Sequence, residues 1–139
     1  MSRLLVPIFL LLFTAIAARA DVLKDLNGTW EISEAQIGGE KAPDDFLKFT
    51  LTITDGKYSV KAGEEMETGT FTIDDTKKPM TLDVNAENGP NKGKKMPAIF
   101  ELSGDTLKAC YKLDYSGRPK EFTTTKDDKQ FVAVYKRKK

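Results

Sequence analysis

The sequence predicts an all-β domain of about eight antiparallel strands, arranged as a sandwich or a barrel. Three observations carry that expectation. Thirteen threonines lie between Asp21 and Lys139, often alternating with apolar residues; period-two alternation with β-branched residues on the polar face marks half-buried strands. Short runs of this kind recur between turn signals. Two hairpins, around Asp55-Gly56 and Gly104-Asp105, can be paired on paper so that the apolar residues of both strands share a face.

Taken in order, Val22, Leu23 and Leu26 suit one helical turn before a first strand over residues 29–37. Residues 43–48 suit a short helix, with Pro43 at an early position and two acids in the first turn. Phe49, Leu51 and Ile53 then alternate with Thr50, Thr52 and Thr54. The Asp55-Gly56 turn leads into a strand over 57–62 and sets Thr54 opposite Lys57, Ile53 opposite Tyr58, and Leu51 opposite Val60. Gly69, Phe71 and Ile73 alternate with Thr70 and Thr72, and a strand follows over 80–84. The Gly104-Asp105 turn joins strands over 97–103 and 106–113. It sets Leu102 opposite Leu107, Phe100 opposite Ala109 and Ala98 opposite Tyr111, with Glu101–Lys108 and Ile99–Cys110 on the outer face. The last strand is expected over 130–136.

The first twenty residues do not read as part of this fold. Arg3 precedes an apolar run over 4–18, Ala18-Arg19-Ala20 places small residues where a signal peptidase reads, and Asp21 opens a polar chain. This is the pattern of a secretory signal peptide over 1–20, leaving one domain over 21–139. The run is shorter than the ~20 apolar residues a spanning helix needs, so no membrane span is expected after cleavage. No Cys follows it for a lipid anchor, and no Arg pair precedes it. Export without a disulfide suits a bacterial envelope, so a secreted protein, periplasmic or extracellular, is expected.

Composition narrows the chemistry. The chain has 139 residues, 22 Lys+Arg, 21 Asp+Glu, one Cys, one Trp and no His. Without imidazole there is no Ser-His or Cys-His pair and no His-ligated zinc. One Cys allows no internal disulfide. The 22 basic groups less Arg3 and Arg19 leave 20 against 21 acids, a net charge of −1 after cleavage, so no nucleic-acid partner is expected. No cofactor, metal or catalytic residue is assigned, and a non-enzyme is expected.

Four acidic pairs, Asp44-Asp45, Glu64-Glu65, Asp74-Asp75 and Asp127-Asp128, read as solvated turns; a hydrolase would need two such carboxyls to converge. Residues 83–94 fail as a calcium loop, because Gly89 comes one position late and Lys94 stands where a bidentate Glu belongs. Residues 89–95 fail as a P-loop, with three residues between the glycines and Lys95 in place of Ser or Thr, and read as a flexible hairpin connection. Cys110 takes an outward position beside Ile99, either as a reactive thiol or as a small apolar filler under a loop.

Gly28-Thr29-Trp30 opens the first strand and resembles the Gly-x-Trp signature of lipocalins and related calycin barrels. A second resemblance covers nearly all of 21–139. It rests on Leu26 to Trp30, Gly69-Thr70-Phe71 with Ile73-Asp74, Lys78-Pro79, Asn88 to Lys94, Gly104 to Lys108 with Cys110, and Arg118 to Phe122. These stretches are similar to a family of exported lipocalin-like bacterial domains, abundant in planctomycetes, with no established activity. The resemblance implies an up-and-down barrel of about eight strands with one short helix. It also implies that Trp30 closes the barrel floor behind Gly28, with Arg137 over its ring; the residues alone equally allow Arg137 to join the solvated tail of Lys136 to Lys139.

An eight-stranded barrel is just wide enough to be filled by side chains or to hold one small ligand. The interior positions expected to meet a ligand are Trp30, Phe49, Leu51, Tyr58, Phe71, Leu82, Phe100 and Tyr111. The expected role is binding a small apolar molecule. The alternatives are a filled-core envelope module that acts through its outer face, and a carboxylate-based hydrolase.

Overall fold

A computed structural model describes residues 22–139; the expected signal peptide lies outside the described residues. One helical turn over residues 22–25 is closed by Leu26 N–H donating to the Val22 carbonyl at 3.1 Å. The strands are β1 (Gly28–Ile37), β2 (Glu40–Lys41), β3 (Thr50–Thr54), β4 (Lys57–Ala62), β5 (Glu65–Asp74), β6 (Met80–Ala86), β7 (Lys95–Ser103), β8 (Thr106–Lys112) and β9 (Gln130–Arg137). A 3-10 turn over Asp44–Lys48 follows Pro43; five residues with Pro at the entry make one tight turn and no more.

Neighbouring strands from β3 to β9 pair in sequence order, all antiparallel, and β1 pairs with both β3 and β9. The eight long strands therefore close into an up-and-down barrel. The ninth, β2, is a two-residue addition on the far end of β1, at Gln36↔Lys41 and Ile37↔Glu40. Both hairpin registers read from the sequence are present, including Ile53↔Tyr58, Leu51↔Val60, Phe100↔Ala109 and Ile99↔Cys110.

The structure corrects several boundaries. β5 begins at Glu65, four residues before the expected Gly69, because its first residues complete the ladder with β4. β6 runs on to Ala86, and β7 starts at Lys95. In β1 the ladder with β9 slips between Ile32 and Glu34. The bulge leaves Ser33 and Glu34 both exposed and moves the inward set from Trp30 and Ile32 to Ala35. Without it, Ala35 would face solvent.

The barrel has two unlike ends. At one, the helical turn, the β3–β4 turn and the β7–β8 turn gather beneath Trp30, and Asn27 exchanges hydrogen bonds with Asp55 at 2.8 and 3.0 Å. At the other, Phe46 packs on Phe49 and Phe131, which in turn meets Tyr111, with ring centroids 5.3–5.6 Å apart. The connection from β8 to β9 packs back on the outer wall. There Phe122 lies over the buried Ile99, Cys110 and Val132. Buried Gln130 holds the segment by donating to the Thr123 carbonyl at 2.6 Å, with Cys110 Sγ 3.6 Å away. Arg118 donates to the Leu82 and Ala98 carbonyls and to Asp83. Cys110 is thus on the outer face of the barrel yet fully buried, in the position of a small apolar filler; burial pushes its thiol up to about 11.

Candidate ligand-binding site

The floor is built first. Trp30 is fully buried and its indole Nε1 donates to the Leu26 carbonyl at 2.9 Å. Arg137, its partner across the β1–β9 seam, stacks with its guanidinium carbon 4.3 Å from the ring centroid. The same guanidinium donates to the Asn27 carbonyl (2.5 Å), the Asp25 carbonyl (2.8 Å) and Asp105 Oδ1 (2.9 Å). Hydrogen bonds from Lys139 and then Arg137 hold the Asp105 carboxyl below its usual range. Arg137 is therefore part of the floor and not of a solvated tail. Gly28 makes room for it: at φ +138°, a Cβ there would stand 2.8 Å from Arg137 Nη1.

Above this floor the interior is not filled. A cavity of about 270 Å³ remains between the strands. Of the eight interior positions expected from the sequence, Phe49, Leu51, Tyr58, Phe71, Leu82, Phe100 and Tyr111 line it. Trp30 does not; it lies below, sealed off as floor. The small side chains of Ala98 and Ala109 on the facing β7 and β8 leave the space that larger residues would occupy.

Six further lining residues, Leu26, Glu67, Val84, Asn91, Met96 and Tyr135, were not anticipated. Glu67 follows from the period-two strip Glu67, Gly69, Phe71, Ile73 once β5 is extended back past Gly69. Tyr135 lies on β9, whose inward strip the sequence reading did not assign. Asn91 sits on the β6–β7 loop, which is no slack connection. Glu87 N–H donates to the Thr68 carbonyl and Thr68 N–H to Asn88 Oδ1, both at 2.8 Å, strapping the loop to β5.

That strap completes a polar cluster at one end of the cavity. Tyr58 hydroxyl donates to Glu67 Oε2 at 2.9 Å, and Asn91 Nδ2 donates to Glu67 Oε1 at 3.0 Å. Gly69 permits it. Tyr58 pairs directly with Gly69 and lays its ring across the strand, and a Cβ there would come 2.7 Å from Cε1 and 2.8 Å from the hydroxyl oxygen. Burial, followed by the hydrogen bond to Glu67 and its charge, raises the Tyr58 hydroxyl pKa well above the ordinary value. Tyr111 and Tyr135, elsewhere on the wall, are also raised, chiefly by burial, Tyr135 to about 12. Neither hydroxyl has a hydrogen-bond partner among the described residues.

The remaining candidates are scattered. The acidic pairs sit in four separate places: the 3-10 turn, the β4–β5 turn, the β5–β6 turn and the stretch before β9. Among the described residues no three acidic, Cys or His groups gather to hold a metal ion, and no helix is long and apolar enough to cross a membrane.

The geometry agrees with what comparison finds. A family model described as a lipocalin-like domain matches residues 26–109, from the floor through the middle of β8. Neither curated proteins nor solved structures give a match.

Proposed function

Because the chain belongs to the family of lipocalin-like domains, we propose that it is an exported, non-catalytic carrier that holds a small apolar molecule inside its barrel. The unfilled, largely apolar cavity carries this reading. An occupant would cover apolar wall that the open cavity leaves accessible to water. The volume lies just under the range of drug-sized pockets and calls for a ligand of modest length. The absence of His from the chain and the separation of the acidic pairs favour retention of a ligand over its conversion. The apolar run and A-x-A end of residues 1–20 support export.

Native mass spectrometry of protein purified from its own host tests the proposal. A low-mass adduct is expected that weakens in Ala109→Leu, whose larger side chain would narrow the cavity. A bare mass, with an unfolding midpoint unchanged by organic extraction, would refute it.

A further inference from the structure

Resting on that binding reading, we infer that the cavity selects an apolar molecule bearing a protonated amine, with Glu67 as the receiving group. Glu67 is the one charged side chain among the residues that line the cavity, in a chain with 22 Lys and Arg. Its carboxylate is oriented by two neutral donors, Tyr58 at 2.9 Å and Asn91 at 3.0 Å. No Lys or Arg among the described residues forms an ion pair with it, so its charge has no counter-cation. A carboxylate offers about four acceptor sites, and two donors leave room for an ammonium.

The rest of the lining suits the same head group. The rings of Phe49, Tyr58, Phe71 and Phe100 bound the cavity, and aromatic faces attract cations, most strongly where water is excluded. Tyr111 and Tyr135 also line the cavity, neither hydroxyl bonds to a described residue, and each can accept as well as donate. A ligand carboxylate would meet Glu67 with no cation in the cavity wall to offset the repulsion. A neutral alcohol would gain apolar contact and a hydrogen bond to the carboxylate, without the attraction between opposite charges.

The test is calorimetric titration of the purified, refolded protein with octylammonium, 1-octanol and octanoate at neutral pH. These probes share one apolar tail and differ at the head. Octylammonium is expected to bind about tenfold or more tighter than 1-octanol, with octanoate weakest, because amine and alcohol can both donate to the carboxylate but only the ammonium adds attraction between opposite charges. In Glu67→Gln, which keeps the size and an accepting oxygen for one of its two donors, amine and alcohol should fall within about threefold of each other. Equal binding of all three probes to the wild-type protein overturns the head-group inference and leaves the apolar site standing. An amine preference that survives Glu67→Gln overturns the assignment to Glu67. Failure of every probe to bind overturns the binding proposal itself. The wild-type series decides the head-group order whether or not the variant folds.

Discussion

Replacing Trp30 by Ala is the sharpest test of the floor. The ring is fully buried, and removal of a large aromatic from a core costs about 3–5 kcal/mol. The substitution also removes the 2.9 Å bond to the Leu26 carbonyl, a net loss of about 1 kcal/mol, and the stacking of Arg137 at 4.3 Å, worth roughly 0.5–2 kcal/mol. Arg137 is not stranded, because it keeps Asn27, Asp25 and Asp105 as acceptors. Contacts that share a site do not add fully, so a total near ~5 kcal/mol is expected. For a domain of this size that lowers the melting temperature by about 15–25 °C. Urea denaturation followed by circular dichroism measures it, since Trp30 is the only fluorescent indole in the chain. Trp30→Phe serves as the control; it keeps a ring but loses the donor and should cost about 1–2 kcal/mol. A loss under about 1.5 kcal/mol for Ala, or equal losses for Ala and Phe, would refute the reasoning that a packed ring closes this end.

Gly28→Ala should destabilise by about 1–3 kcal/mol, read from the same denaturation midpoint, because it strains a φ of +138° and brings a methyl to 2.8 Å from Arg137. Stability should fall as pH rises from about 9 upward. The Cys110 thiol is pushed up to about 11 and Tyr135 to about 12 in the folded protein, so above the ordinary values the unfolded chain has released protons that the folded chain still holds. Tyrosinate absorbance should accordingly lag free tyrosine and rise with unfolding; smooth ionisation near pH ~10 in folded protein would contradict the burial of these hydroxyls. Cys110 should react with a disulfide reagent at least about a hundredfold more slowly in the native state than in denaturant. Rapid native reaction would mean that the segment around Phe122 does not cover it.

Local chemistry made much of this legible. Asp55-Gly56 and Gly104-Asp105 fixed two hairpins to the residue, because a two-residue turn leaves one register that keeps Ile53 with Tyr58 and Phe100 with Ala109. The inward strip then named most of the cavity wall. What stayed hidden depended on contacts between distant segments. Glu67 stayed hidden because Glu65 and Met66, the first residues of β5, are both exposed, so no apolar alternation marks the start of the strand. A covered Cys110 was one of the two readings its position allowed, but what covers it stayed hidden for a different reason: the cover is an irregular segment with no periodicity to read. Whether Arg137 was tail or floor turned on a partner 110 residues away, Asn27.

The seam between β1 and β9 joins Trp30 to Arg137, near the two ends of the described domain. The barrel therefore cannot be sealed before β9 has been made; its first strand waits for its last. Non-local pairing of this kind slows folding, since loop closure precedes any return from the contact. Until β9 is in place the β1 edge of the seam is unpaired and the barrel is open. It follows that loss of only the final strand would remove the seam, the Trp30 cover and the wall at Tyr135 together.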